Sequence, residues 1–60
     1  MFVVKDRDWW FTLEGWTGNL NEATRFPSQD EAVMCMKARG YDDKNFKYMN
    51  EEAARGSEKK

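Results

Sequence analysis

Two short stretches near the start of the chain alternate in the manner of strands. Phe2-Val3-Val4-Lys5 is rich in strand formers, and after the polar Asp6-Arg7-Asp8 the run Trp9-Trp10-Phe11-Thr12-Leu13 is again aromatic and β-branched. The pattern predicts an antiparallel hairpin. Side chains alternate between the two faces of a strand, so Trp9, Phe11 and Leu13 share one face and Trp10 and Thr12 the other. Glu14-Gly15-Trp16-Thr17-Gly18-Asn19 contains two glycines and an asparagine, residues that tolerate the positive φ of tight turns, and predicts a chain reversal. Between Leu20 and Phe26 the extended signal is best in Ala23-Thr24-Arg25-Phe26, which reads as a short third strand.

The period then changes. Pro27-Ser28-Gln29-Asp30-Glu31 has the form of a capping box. The Ser28 hydroxyl can accept from the Glu31 backbone N–H, the Glu31 side chain can reach back to the Ser28 N–H, and Asp30 and Glu31 suit the positive end of a helix dipole. A helix is predicted from Gln29 to Arg39, with Lys37 and Arg39 in its last turn and Gly40 as its cap. At 100° per residue Ala32, Val33, Met36 and, at the margin, Cys35 share the face that should lie on the sheet, while Asp30, Met34 and Lys37 point elsewhere. Asn45-Phe46-Lys47-Tyr48-Met49 fits either a fourth strand or the middle of a helix from Asp43 to Arg55, the strand being favoured because it would cover a sheet edge. Glu51 to Lys60 is densely charged and reads as a frayed tail. The expected architecture is thus α+β: one domain over residues 1–50, an antiparallel sheet of three strands or four, one helix on one face, and a charged tail over 51–60.

Length and composition limit what such a domain can do. A chain of 60 residues buries only about 60% of the surface its unfolded form exposes, and one core of this size supplies about 3–5 kcal/mol. Cys35 is the single cysteine and there is no histidine, so an intramolecular disulfide and the ordinary zinc and haem ligand sets are excluded. Three Trp, four Phe and two Tyr remain as the stabilising material, each able to bury on the order of 150–250 Å². With no histidine to serve as base, nucleophilic catalysis by Ser or Cys has no partner, and Cys35 reads as a small buried hydrophobe. Paired acids such as Asp6 with Asp8 or Asp42 with Asp43 read as solvated turns, and Gly15 and Gly18 lack the helix and lysine of a phosphate loop. No catalytic, cofactor-binding or metal-binding residue is expected, and the protein reads as no enzyme. The lone thiol and the charged residues that follow Met1 to Val4 point to the cytoplasm. No apolar run approaches the length of a membrane span. Ten Lys and Arg against eleven Asp and Glu give a charge of −1, which provides no general attraction to nucleic acid.

What remains is surface. If one helix covers one sheet face, one of Trp9 and Trp10 is exposed, and Trp16 lies in a turn; these indoles either cap a thin core or anchor an interface, where Trp is over-represented. The partner-binding residues expected on this ground are Trp10 and Trp16, helped by Asp6, Asp8 and Glu14. An aromatic sheet face beside Lys5, Arg7 and Arg25 also fits a platform on which nucleic-acid bases stack, although Asp6, Asp8 and Glu14 flank the same strands.

The order of an aromatic strand, Gly15-Trp16-Thr17-Gly18, Asn21-Glu22-Ala23-Thr24-Arg25-Phe26-Pro27-Ser28 and Asp30-Glu31-Ala32 opening a helix resembles very small phage and prophage proteins built of a β-sheet and one helix, among them anti-CRISPR-type inhibitors. The resemblance spans Phe2 to about Gly40 and implies no functional residues. It implies a non-catalytic inhibitor in the bacterial cytoplasm, acting as a monomer or small homo-oligomer. Such a protein binds a host protein or nucleoprotein complex and blocks, in the anti-CRISPR form, access of DNA to the effector. The alternative is a small nucleic-acid-binding accessory protein.

Overall fold

The structure is a computed structural model that describes residues 1–58. Among these, four strands form one antiparallel sheet: β1 (Phe2–Asp6), β2 (Trp9–Thr12), β3 (Gly15–Thr17) and β4 (Lys47–Asn50), in the order β3-β2-β1-β4. Two helices accompany it, α1 (Gln29–Ala38) and α2 (Glu51–Glu58). The α+β class, the hairpin of the first two strands and the fourth strand agree with the sequence reading.

The third strand is Gly15–Thr17 and not Ala23–Phe26. The reversal is made by Leu13 and Glu14 alone, between the paired Thr12 and Gly15. Gly15 supplies the φ of +145° with which β3 begins, and the Thr12 hydroxyl donates to the Gly15 carbonyl. Ala23–Phe26 takes a different role. The registered pairs of β1 with β2 end at Lys5 with Trp10, and Phe26 then exchanges both backbone hydrogen bonds with Phe2, at 2.7 and 2.8 Å, while the Thr24 N–H donates to the Phe11 carbonyl. The segment fills the gap where the two strands splay.

Helix α1 begins at Gln29 as its sequence predicts and ends at Ala38, one residue before the expected Arg39, which is its C-cap. Ser28 is the N-cap, its hydroxyl accepting from the Glu31 N–H at 3.3 Å. At the other end Gly40 has φ +86°, its N–H donates to Lys37 and the Tyr41 N–H donates to Met36, the paired bonds of a Schellman motif. Replacing Ser28 with Ala is expected to cost about 1 kcal/mol, which in a domain of this size lowers the melting temperature by roughly 4–8 °C; a thermal unfolding curve measures it.

Both faces of the sheet are covered. Val4 and Phe11 pack with Phe26 and with Ala32 and Met36 of α1, while Val3 and Trp10 on the opposite face pack with Leu20, Ala23 and Ala54 of α2. The charged segment after Asn50 is therefore not a frayed tail through its helical length. The Asn50 side chain caps the Glu52 N–H, the Glu51 N–H donates to the Met1 carbonyl, and Ala54 is fully buried. Glu51 lies within 3.2 Å of Arg25 and 3.1 Å of Arg55, and Arg55 also donates to Asn21. Residues 59 and 60 of the expected tail lie outside the described residues.

Hydrogen bonds from Arg25 and then Arg55 hold the Glu51 carboxyl below its usual pKa. A carboxyl lowered on folding adds stability above the unfolded value of about 4.3 and gives it up as the pH falls through the lower folded value. The deficit in melting temperature of Glu51→Gln against the parent protein is thus expected at neutral pH and closes on acidification below that range, as unfolding curves across pH will measure.

Candidate functional site: an aromatic surface rimmed by carboxylates

At the end of the sheet where β1 turns into β2, aromatic rings gather on the α1 side. Trp16 of β3 pairs with Phe11 of β2, and their rings meet edge to face at 5.5 Å. The Schellman turn after α1 delivers Tyr41 to Trp16 at 6.0 Å, also edge to face. A 3-10 turn at Asp43–Asn45, capped by the Asp42 side chain on the Lys44 N–H, then delivers Phe46 to stack on Trp16 with centroids 5.5 Å apart. The Tyr48 hydroxyl donates to the Asp43 carbonyl at 3.0 Å and secures that turn. Burial, then the nearby Asp43 and Asp42 carboxylates, raise the Tyr48 pKa, so the phenol keeps the proton that it donates.

Trp9 stands beside this cluster without joining its core. It is 53% exposed and, with Trp16 and Asp6, lines a shallow hollow of about 390 Å³. A second hollow, lined by Thr12, Thr17 and Glu22 among others, lies at the β3 edge toward the Trp10 face of the sheet. Glu14 is displayed at its exposed tip because the Thr12 hydroxyl accepts from the Glu14 N–H at 3.1 Å, and Asp8 is exposed in the β1–β2 turn beside Trp9. Arg39 occupies the α1 edge, its guanidinium 5.2 Å from the Phe11 ring centroid and donating to the Leu13 carbonyl.

Of the residues expected to bind a partner, Asp6, Asp8 and Trp16 come together here, with Trp16 half-buried, while Glu14 lies in the β2–β3 turn at the opposite end of β2. Trp10 does not join them. It is fully buried on the opposite face, because α2 and the Leu20–Ala23 turn cover the side of the sheet that was expected to be bare. The exposed member of the Trp9-Trp10 pair is Trp9. Alternation already separated the two; what decided between them was a helix in the charged segment, signalled by Asn50 before Glu51 and Glu52 and by Glu51 four residues ahead of Arg55. Tyr41 and Phe46 were also missed, since both reach the site through turns. Arg25, expected beside an aromatic platform, is engaged with Glu51 and with the carbonyls of Asn21 and Ala23.

Cys35 is partly buried against the α1-side core. Among the described residues no group of three or more Cys, Asp or Glu is placed to hold a metal ion, and no helix is long and apolar enough to cross a membrane. Compared with protein-family models, curated proteins and solved structures, the chain matches none.

Proposed function

We propose that the protein is a non-catalytic binding module that docks on a cationic surface of another protein or nucleoprotein complex. The observation that carries this reading is Trp9, which presents half its surface to solvent beside the Trp16 hollow while Trp10, Phe11 and Phe26 of the same domain are buried. An indole on a rigid strand loses little conformational freedom on binding, and such residues dominate interface energetics. The occupant follows from charge: Asp6 lines the hollow with the two indoles and Asp8 is exposed in the turn beside Trp9, which favours Lys- and Arg-rich surfaces and disfavours phosphate at this place. About 800 Å² per partner, the size of an ordinary specific interface, is a fifth of the 4245 Å² accessible surface.

In its narrower form the module is a phage-derived inhibitor in the cytoplasm of a bacterial host, of the anti-CRISPR kind, masking the basic groove through which an effector complex receives DNA. Expression in CRISPR-immune bacteria challenged with a targeted phage tests that form. Plaques restored by the parent protein and not by a folded Trp9→Ala variant support it. Unchanged immunity across a panel of CRISPR types removes the anti-CRISPR form. Docking itself is tested with the partner recovered at stoichiometric ratio: its capture must fall at raised salt and on Trp9→Ala, and capture indifferent to both removes the site.

A further inference from the structure

The opposite face of the same sheet end is cationic. Lys5 of β1 and Lys47 of β4 are direct partners across the antiparallel ladder, on the face that carries Val3, Trp10 and Met49. Like charges directly opposite one another destabilise a sheet. With Arg7, Asn45, Met49 and Asp6 they line an open cleft of about 770 Å³. Asp6 is the only acid among them, and alternation from Val4 sends its side chain toward the Trp9 hollow, which it also lines. Among the described residues the ion pairs formed by carboxylates go to Arg25 and Arg55, and none goes to Lys5, Arg7 or Lys47.

The cleft is built, not incidental to a basic chain, since the whole protein carries a charge of −1. Arg7 has φ +58° at the first central position of the two-residue turn closed by Asp6 and Trp9, a conformation that favours glycine; the turn holds a guanidinium at the mouth in spite of that strain. Lys5 is steadied with its ammonium 5.0 Å from the Trp10 ring centroid.

We infer that this cleft binds backbone phosphates of single-stranded nucleic acid. Three unpaired cations supply the phosphate contacts. The half-buried Met49 offers a polarisable apolar floor for a base, and the Asn45 side chain an amide for its edge. An acidic peptide would use the cations and leave the other two without a role. The cations lie across the sheet from Trp9, the two hollows sharing only Asp6 at the sheet end, so a nucleoprotein partner can engage both faces at once.

The test is fluorescence anisotropy of labelled single-stranded DNA and RNA oligonucleotides titrated with the full chain. Three phosphate contacts on a single strand predict a slope of log affinity against log salt of about −2, so affinity falls roughly twentyfold between about 50 and 200 mM salt. Lys47→Gln and Arg7→Gln should each flatten that slope by about 0.7, leaving a roughly sevenfold fall, whereas Lys37→Gln on α1 makes the same change in net charge and leaves the slope intact. Lys47→Gln also relieves the repulsion with Lys5, so the variant stays folded and its loss of binding is readable. Absence of binding at the lower salt, a slope unmoved by Lys47→Gln, or binding lost on Trp9→Ala instead would overturn the inference. So would polyglutamate binding as tightly and depending on the same cations.

Discussion

Trp10→Ala is expected to unfold the protein at room temperature. Trp10 is fully buried between Val3, Leu20, Ala23 and Ala54, and removing a buried tryptophan costs about 3–5 kcal/mol through lost burial and the cavity left behind. That equals the whole stability that a single core of this size supplies, about 3–5 kcal/mol. The loss also reaches beyond the one side chain, because Trp10 is the largest residue joining β2 to α2, and Lys5 rests against its ring. Circular dichroism and a denaturant titration measure the effect: the Ala variant should lack a cooperative transition, and Trp10→Phe should keep one at a lower midpoint. A cooperative transition for Trp10→Ala within about 1 kcal/mol of the parent protein would mean that α2 does not seal this face, since a surface substitution costs no more than that.

How far the sequence specifies this fold depends on the range of the interactions involved. Ser28, Glu31 and Gly40 declare α1 because a cap is satisfied within a few residues of chain, and the structure uses Ser28 and Gly40 as expected. Ala32 and Met36 are likewise identifiable as the buried stripe from spacing alone. The glycines around Trp16 point to a turn for an equally local reason, whereas the positive φ of Gly15 serves the first residue of β3, after a turn made by Leu13 and Glu14. Ala23–Phe26 is extended as read, but its partners are Phe2 and Phe11, far away in sequence, and no local pattern distinguishes a ladder strand from a wedge. The segment from Glu51 was hardest. Its hydrophobic content is little more than Ala54, too small a signal beside the surrounding charges, and those charges are compensated by Arg25 and Asn21, which only the folded chain brings near.

The same long-range closure decides the candidate site. Asp6 and Asp8 are legible beside Trp9 because all three flank one turn, but Glu14 belongs to the next turn at the far end of β2, and the choice of Trp9 over Trp10 requires knowing which face α2 occupies. The Lys5–Lys47 pair depends on the register of β1 with β4, set across some forty residues of intervening chain. Lys5 and Arg7 could be noticed in the sequence; their convergence with Lys47 could not.

Trp9→Ala is expected to leave the fold in place and remove partner binding. The exposed half of the ring contributes little to the core, and substitutions on the solvent side of a strand span about 1 kcal/mol, so the unfolding midpoint should shift only slightly. At an interface the same ring is desolvated against the partner beside Trp16, and truncating such an anchor costs about 2 kcal/mol or more, roughly a thirtyfold rise in Kd. The surrounding acids act differently. Asp8→Asn and Glu14→Gln at the exposed rim should slow association and weaken its salt dependence, with smaller effects on dissociation, because rim charges steer encounter more than they hold the complex. Surface plasmon resonance on the partner recovered by capture separates the two: Trp9→Ala in the dissociation rate, Asp8→Asn and Glu14→Gln in the association rate. If Trp9→Ala binds within threefold of the parent protein while retaining its unfolding midpoint, the exposed indole is not the anchor. The interface would then have to be sought on the Lys5–Lys47 face, where alanine in place of Trp9 changes nothing.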